Sequence, residues 1–267
     1  MRITKRKVFA SLLLVIIGGI SYLLTANQRA KGAEDYCDRA LTKFTLVVQN
    51  AKQRPWDNFY TLEEQTLEII KDIASKPNAN KKIIIYVSKG TELIRKGNLN
   101  EALKEYKKAI EIEWSYSKTY ALLGYVYILQ QEWDKAIIKC GNSIRLDPNY
   151  SKAHYNLAIA YIGEMMYEEA LAESKIAFKL DPDDSMINNN LGWLYYYINN
   201  YDEAIKFLER AIKLNPYQFA PNITLASLYY KKGEYKRARE YYDKAISLGM
   251  TEAEIPAYLV EGLSEYH

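Results

Sequence analysis

The chain has 267 residues, 49% apolar and 26% charged, a composition that folds into one or two domains and is not that of a disordered tail. Glycine (12) and proline (7) are too scarce for an all-β sandwich or a collagenous sequence, and two cysteines support neither a disulfide framework nor an unaided zinc site. The formal charge of +3 arises from Arg2, Lys5, Arg6, Lys7, Arg29 and Lys31, which stand without an acid; downstream, 30 basic residues face 33 acidic ones, which argues against a nucleic-acid-binding surface.

Residues 1–7 form a basic tail. Val8 to Leu24 carries no charge over seventeen residues, about 26 Å of helix against a hydrocarbon core of about 30 Å. A transmembrane helix or signal anchor is expected over 8–24, then a linker over 25–32. Signal-peptide apolar regions are shorter and end in a small-x-small site, whereas the nearest candidate, Ala30-Lys31-Gly32, lies several residues past the apolar stretch. The basic tail outweighs the mixed charges downstream of the span, which places the N-terminus in the cytoplasm and the remainder of a single-pass protein outside it. Signal cleavage would instead give a secreted or periplasmic protein.

Residues 33–82 read as an N-terminal helical hairpin cap. Cys37, Ala40, Leu41, Phe44, Val47, Val48 and Ala51 recur at helical spacing up to Arg54-Pro55. Thr61-Leu62-Glu63-Glu64 offers a capping box for a second helix through Ile73, stopped by Pro77.

From residue 83 the sequence repeats. Pro148, Pro182 and Pro216 are spaced by 34, each preceded by Asp147, Asp181 or Asn215 and, one step earlier, by a leucine. With these prolines as position 32, five units run without insertion: 83–116, 117–150, 151–184, 185–218 and 219–252. Position 8 is Gly90, Gly124, Ala158, Gly192 and Ala226; position 20 is alanine throughout; position 27 is Ala109, Ser143, Ala177, Ala211 and Ala245. Small residues are needed where two helices cross closely, while Leu123, Leu157, Leu191 and Leu225 at position 7 and Tyr127, Tyr161, Tyr195 and Tyr229 at position 11 fill the space around them. Position 24 varies among Tyr106, Cys140, Ser174, Leu208 and Tyr242. Ile255, Leu259, Val260 and Leu263 mark a C-terminal capping helix within 253–267.

This framework resembles the tetratricopeptide repeat (TPR) family, whose 34-residue helix-turn-helix units share the Leu-Gly…Tyr, Ala…Ala and Pro pattern. The resemblance implies an all-α fold, a TPR-type right-handed superhelix or α-solenoid with helical caps. It implies that positions 2, 5, 6, 9, 12 and 13 line a concave groove for a protein or peptide partner. Carried over, the second unit supplies Lys118, Ala121, Leu122, Tyr125 and Ile128, and the third Lys152, Tyr155, Asn156, Ile159 and Ile162. The fourth supplies Met186, Asn189, Asn190, Trp193, Tyr196 and Tyr197, and the fifth Ile223, Thr224, Ser227 and Tyr230. The lining is aromatic and amide-bearing, unlike the cationic carboxylate clamp of the family's chaperone adaptors. Asn156 and Asn190 share position 6 and resemble two rungs of an asparagine ladder, since an amide pairs with any peptide unit; the alternative places them on solvated helix faces and packs Trp193 on a neighbouring repeat.

No enzyme, cofactor or metal site is expected, because there is no Gly-rich phosphate loop, HExxH or GxSxG. His154 at position 4 and Cys140 on an apolar stripe suit packing. Asp181-Pro182-Asp183-Asp184 suits an inter-repeat turn with a helix-start signal. The expected function is a membrane-anchored scaffold that binds a polypeptide in its groove, with assembly of a membrane or envelope complex as one setting for it. The alternatives are an enzyme-associated regulatory module and a self-associating structural protein.

Overall fold

A computed structural model describes residues 60–76 and 80–264. Over these the chain is all-helical, with twelve α-helices, one short 3₁₀ turn and no strand. The expected span at 8–24, the linker and the first helix of the expected cap lie outside the described residues, as do the side chains of Thr61 and Glu64. No helix among the described residues is long and apolar enough to cross a membrane.

Helix α1 spans Tyr60–Ser75. Five helix pairs come after it: α2 Lys82–Arg95 with α3 Leu99–Ile112, α4 Ser117–Leu129 with α5 Trp133–Leu146, α6 Ser151–Gly163 with α7 Tyr167–Leu180, α8 Ser185–Tyr197 with α9 Tyr201–Leu214, and α10 Ala220–Lys231 with α11 Tyr235–Ser247. A 3₁₀ turn at Glu252–Glu254 leads into α12, Ala257–Leu263. Each pair packs on the next, giving an α-solenoid in which neighbouring elements make the contacts.

The small residues stand where the helices of a pair meet. The alanines of position 20 are wholly buried, and a Cβ on Gly124 would come within 2.4 Å of Cys140 Sγ, as one on Gly192 would come within 2.5 Å of Leu208 Cγ. Position 24 therefore faces position 8, so its variation is a choice of filler for one gap. Ser143 takes an alanine position because its hydroxyl donates to the Ser117 carbonyl at 2.9 Å.

Two kinds of turn repeat with the units. Within each pair, position 15 adopts positive φ: Gly97 (78°), Gln131 (58°), Met165 (61°), Asn199 (59°) and Gly233 (76°). The next amide then donates back to the carbonyl of position 11, as from Glu132 to Tyr127 and from Asn200 to Tyr195, both at 2.9 Å. This is a Schellman closure, which satisfies the last carbonyls of the first helix. Between pairs, Asp147, Asp181 and Asn215 are extended (φ −144°, −143° and −140°), the conformation that a following proline imposes. Asp184 then caps α8, accepting from the amides of Met186 at 2.7 Å and Ile187 at 2.9 Å.

The two ends differ. Ile255, Leu259 and Leu263 of the closing segment are buried in one cluster with Leu225, Tyr229 and Tyr242. A Cβ on Gly262 would meet the Tyr230 hydroxyl, so α12 lies directly on α10. At the other end, position 7 of the first unit is Lys89, which pairs with Glu105 at 3.0 Å where later units bury leucine. Among the described residues no helix stacks there in series with α2; α1 lies on another face.

Candidate functional site

The face carried by positions 2, 5, 9, 12 and 13 of the first helices divides into a covered part and an open part. On α2 those of positions 2, 5, 9 and 12 are Ile84, Val87, Thr91 and Ile94, none more than 2% exposed, and the three aliphatics share one cluster with Leu62, Ile69, Ile70 and Ile73 of α1. Thr66 Oγ1 and Thr91 Oγ1 are 2.7 Å apart. On α4, Lys118 is not free for a ligand, because its ammonium donates to Glu68 of α1 at 2.6 Å and lies 5.6 Å from the centre of the Tyr150 ring. The same chain thus covers this face on α2 and engages Lys118 on α4.

Lys152 is also engaged. It is buried and paired with Asp184, the α8 cap, so the second cation assigned to the groove serves the junction between two pairs.

The asparagine ladder is corrected by its geometry. Asn156 is wholly buried, and its Nδ2 donates to the Ala121 carbonyl of the preceding first helix at 3.2 Å. Asn190 is buried, donating to Ser174 Oγ of α7 at 3.2 Å. Position 6 therefore points between units, and neither amide reaches the open face. Asn189, at position 5, is half-buried, and its Oδ1 has no protein partner.

Tyr155 is buried beside Tyr125, and burial pushes its hydroxyl far above the ordinary value, with Asp184 and Tyr125 adding to the effect. Tyr125, Ile159 and Trp193 at position 9, with Ile128, Ile162 and Tyr196 at position 12, are half-buried and form the open stripe from α4 to α8. Trp193 stacks on Tyr197 (5.6 Å between centres) and lies 6.3 Å from Tyr167, while Tyr167 and Tyr197 approach to 3.9 Å. Tyr197 remains 47% exposed, so this three-ring cluster is both a packing joint between units and an accessible surface. Tyr230 is covered by the C-terminal helix, with its ring 5.8 Å from that of Tyr258.

Two contributors were missed from sequence. Tyr167 belongs to a position 17 series, Trp133, Tyr167, Tyr201 and Tyr235, whose 34-residue spacing was a usable signal. Trp133 shows its role: a Cβ on Gly163, position 13 of the next unit, would come within 2.4 Å of the indole. Glu68 carried no such signal, because the contact spans 50 positions.

Two further polar groups, His154 and Cys140, are held inside the fold. His154 is buried, with Nδ1 2.6 Å from Glu173 Oε2 and Nε2 3.0 Å from the Pro148 carbonyl. Cys140 is buried and its thiol is pushed up by burial. Among the described residues, no cluster of three or more His, Cys, Asp or Glu could hold a metal ion.

Tetratricopeptide repeat models match residues 140–172, 187–218 and 221–251, and a model of the CadC C-terminal domain matches residues 20–149. PilF of Pseudomonas aeruginosa is 26% identical in sequence, over 64% of this chain and 78% of its own, with a TM-score of 0.59. TTC0263, a thermophilic TPR protein of Thermus thermophilus, is 19% identical over 68% of this chain and 98% of its own, at 0.58. YrrB, a TPR protein described with an unusual peptide-binding site, is 19% identical over 74% of this chain and 96% of its own, at 0.51. No curated protein matches the chain. The chain carries TPR repeats, and its fold is that of TPR solenoids.

Proposed function

We propose that the chain is a protein-interaction scaffold of five TPR units, 83–116, 117–150, 151–184, 185–218 and 219–252, which binds a partner polypeptide along the first-helix face. The carrying observation is the stripe Tyr125, Ile128, Ile159, Ile162, Trp193 and Tyr196, which stays half-exposed although three successive units hold it in register. Apolar and aromatic side chains on rigid helices give contact area at low entropic cost, and aromatic anchors carry much of the energy at protein interfaces. The buried position 6 amides and the pairing of Lys118 and Lys152 argue for apolar docking and against a carboxylate clamp. The peptide-binding site ascribed to YrrB fits the same reading of the fold.

The proposal includes a membrane tether. Residues 8–24 would anchor the scaffold, with the basic tail cytoplasmic and the repeats extracytoplasmic, so that captured partners gather beside the bilayer. Residues 33–82 and 253–267 would cap the repeat array.

The test uses full-length protein carrying a photoreactive residue in place of Trp193, of Ile159, or of Lys206 on the second-helix face. Crosslinks to another polypeptide from Trp193 and Ile159 but not from Lys206 are expected. Crosslinks from Lys206 alone would move the binding surface to the opposite face. Fractionation of the same protein tests the anchor.

A further inference from the structure

Helix α1 occupies the groove in the way an external ligand would. Its buried side chains, Leu62, Thr66, Ile69, Ile70 and Ile73, recur three and four residues apart and meet Ile84, Val87 and Ile94 of α2. Glu68 and Asp72, one turn apart, stand along its edge: Glu68 pairs with Lys118, and Asp72 pairs with Lys76, whose ammonium lies 5.4 Å from the centre of the Tyr116 ring. Lys89 shows that α1 is not one more stacked repeat, since the face a preceding repeat would cover is polar.

We propose that α1 is a resident ligand and that the partner is an amphipathic helix of the same chemistry, aliphatic along one face with two carboxylates one turn apart at its edge, which takes α1's place on α2 and α4; this rests on the groove reading above. Among the described residues, the hydroxyls that join α1 to α2 keep other partners after the exchange. Thr91 Oγ1 keeps Tyr106 Oη at 3.0 Å and the Val87 carbonyl at 3.1 Å when Thr66 leaves, and Thr66 keeps the Leu62 carbonyl at 2.9 Å. The one ion pair that crosses from α1 to α4 among the described residues has a half-exposed carboxylate, which water and salt weaken. The apolar contacts set the specificity: departure of α1 would expose Ile84, Val87 and Ile94, so only an occupant that covers the same aliphatics replaces it. Lys118 selects a helix that brings an acid to that edge.

The experiment locks α1 in place. The full-length chain with Cys37→Ser, Thr66→Cys and Thr91→Cys forms a disulfide across the two hydroxyl positions, and a fluorescent peptide of residues 60–76 is titrated by anisotropy. The reduced chain is expected to bind the peptide at least about tenfold more tightly than the oxidised chain. A peptide with Glu68→Lys and Asp72→Lys is expected to bind weakly, and Lys118→Glu to restore it. Equal binding in the two redox states, or no binding by the reduced chain, overturns the proposal. Hydrogen exchange of the unaltered chain reads the same step without cysteines: added peptide should accelerate exchange of the α1 amides, and unchanged exchange overturns it. A concentration-dependent dimer abolished by the lock would make the occupant a second copy and reject a separate partner. Failure here with crosslinking from Trp193 intact leaves the groove reading standing; loss of that crosslinking removes the groove reading itself.

Discussion

His154 sits at position 4 of the third unit with an acceptor on each ring nitrogen, the Glu173 carboxylate and the Pro148 carbonyl. A neutral imidazole carries one N–H and serves one of them; the imidazolium serves both. Burial disfavours the charged ring, but the hydrogen bonds to Glu173 and Pro148 and the charges of Glu173 and Asp147 outweigh it, so the pKa is raised above the ordinary 6.5. A raised folded-state pKa contributes stability that is fully present below the unfolded value and is lost as pH rises through the folded one. Urea unfolding should therefore show stability falling as pH rises above about 6.5, with the slope reduced in His154→Asn. A slope unchanged by that substitution would place the titrating group elsewhere. Asn156 gives a second outcome at this scale: its Oδ1 is buried without a partner, while the same position in the preceding unit holds the buried Leu122. Asn156→Leu should leave the fold intact and change stability by less than about 1 kcal/mol in urea titration, because relief of the unpaired Oδ1 offsets loss of the Nδ2 hydrogen bond to the Ala121 carbonyl.

At the scale of the element, the pairs close through one turn whose position 15 is left-handed whatever residue holds it. Glycine fills the place in the first and fifth units, but Gln131, Met165 and Asn199 fill it in the others. A side chain with Cβ in that region costs roughly 1–2 kcal/mol, asparagine less than most. Gln131→Gly and Met165→Gly should each raise stability by about 1 kcal/mol, Asn199→Gly should do less, and Gly97→Ala should lower it by a similar amount; thermal or urea unfolding decides. The turn illustrates what was legible in the sequence. The 34-residue spacing of small residues and prolines pointed to TPR-type helix pairs, because close helix crossing tolerates few side chains. It could not reveal the left-handed position, because Gln131 and Met165 are held there by the hydrogen-bonded closure and not by their own preference. It also left the direction of position 6 open: a register assigns a residue to a helix face, but whether Asn156 meets solvent or the next helix depends on how far the pairs are rotated about each other.

At the scale of the molecule, a chain of units that touch only their neighbours stores its stability locally, as intrinsic terms for each pair and coupling terms between adjacent pairs. The first-helix face was harder to read than the fold for the same reason: the repeat pattern specifies what successive units share, whereas α1 is placed by Leu62, Ile69, Ile70 and Ile73 against α2 and by the Glu68–Lys118 pair 50 positions apart, contacts that belong to no repeat. The C-terminal end offers a direct test of local coupling. Ile255, Leu259 and Leu263 are buried on the last pair, and Arg239 of α11 donates to the Leu263 carbonyl at 3.1 Å. Burial of each aliphatic side chain contributes about 1.5–3 kcal/mol. Ending the chain after Met250 removes all three and uncovers Leu225, Tyr229 and Tyr242, which share their cluster. Hydrogen exchange should then show lost protection in α10 and α11, a smaller loss in α8 and α9, and unchanged protection in α4 and α5, as opening by pairs predicts. A uniform fall in protection would mean that the array unfolds as one cooperative body, and a stripe spread over three units would then be rigid throughout. With local opening instead, the last pair can yield while α4 and α6 hold Tyr125 and Ile159 in place, so binding at the stripe proposed above should survive the truncation.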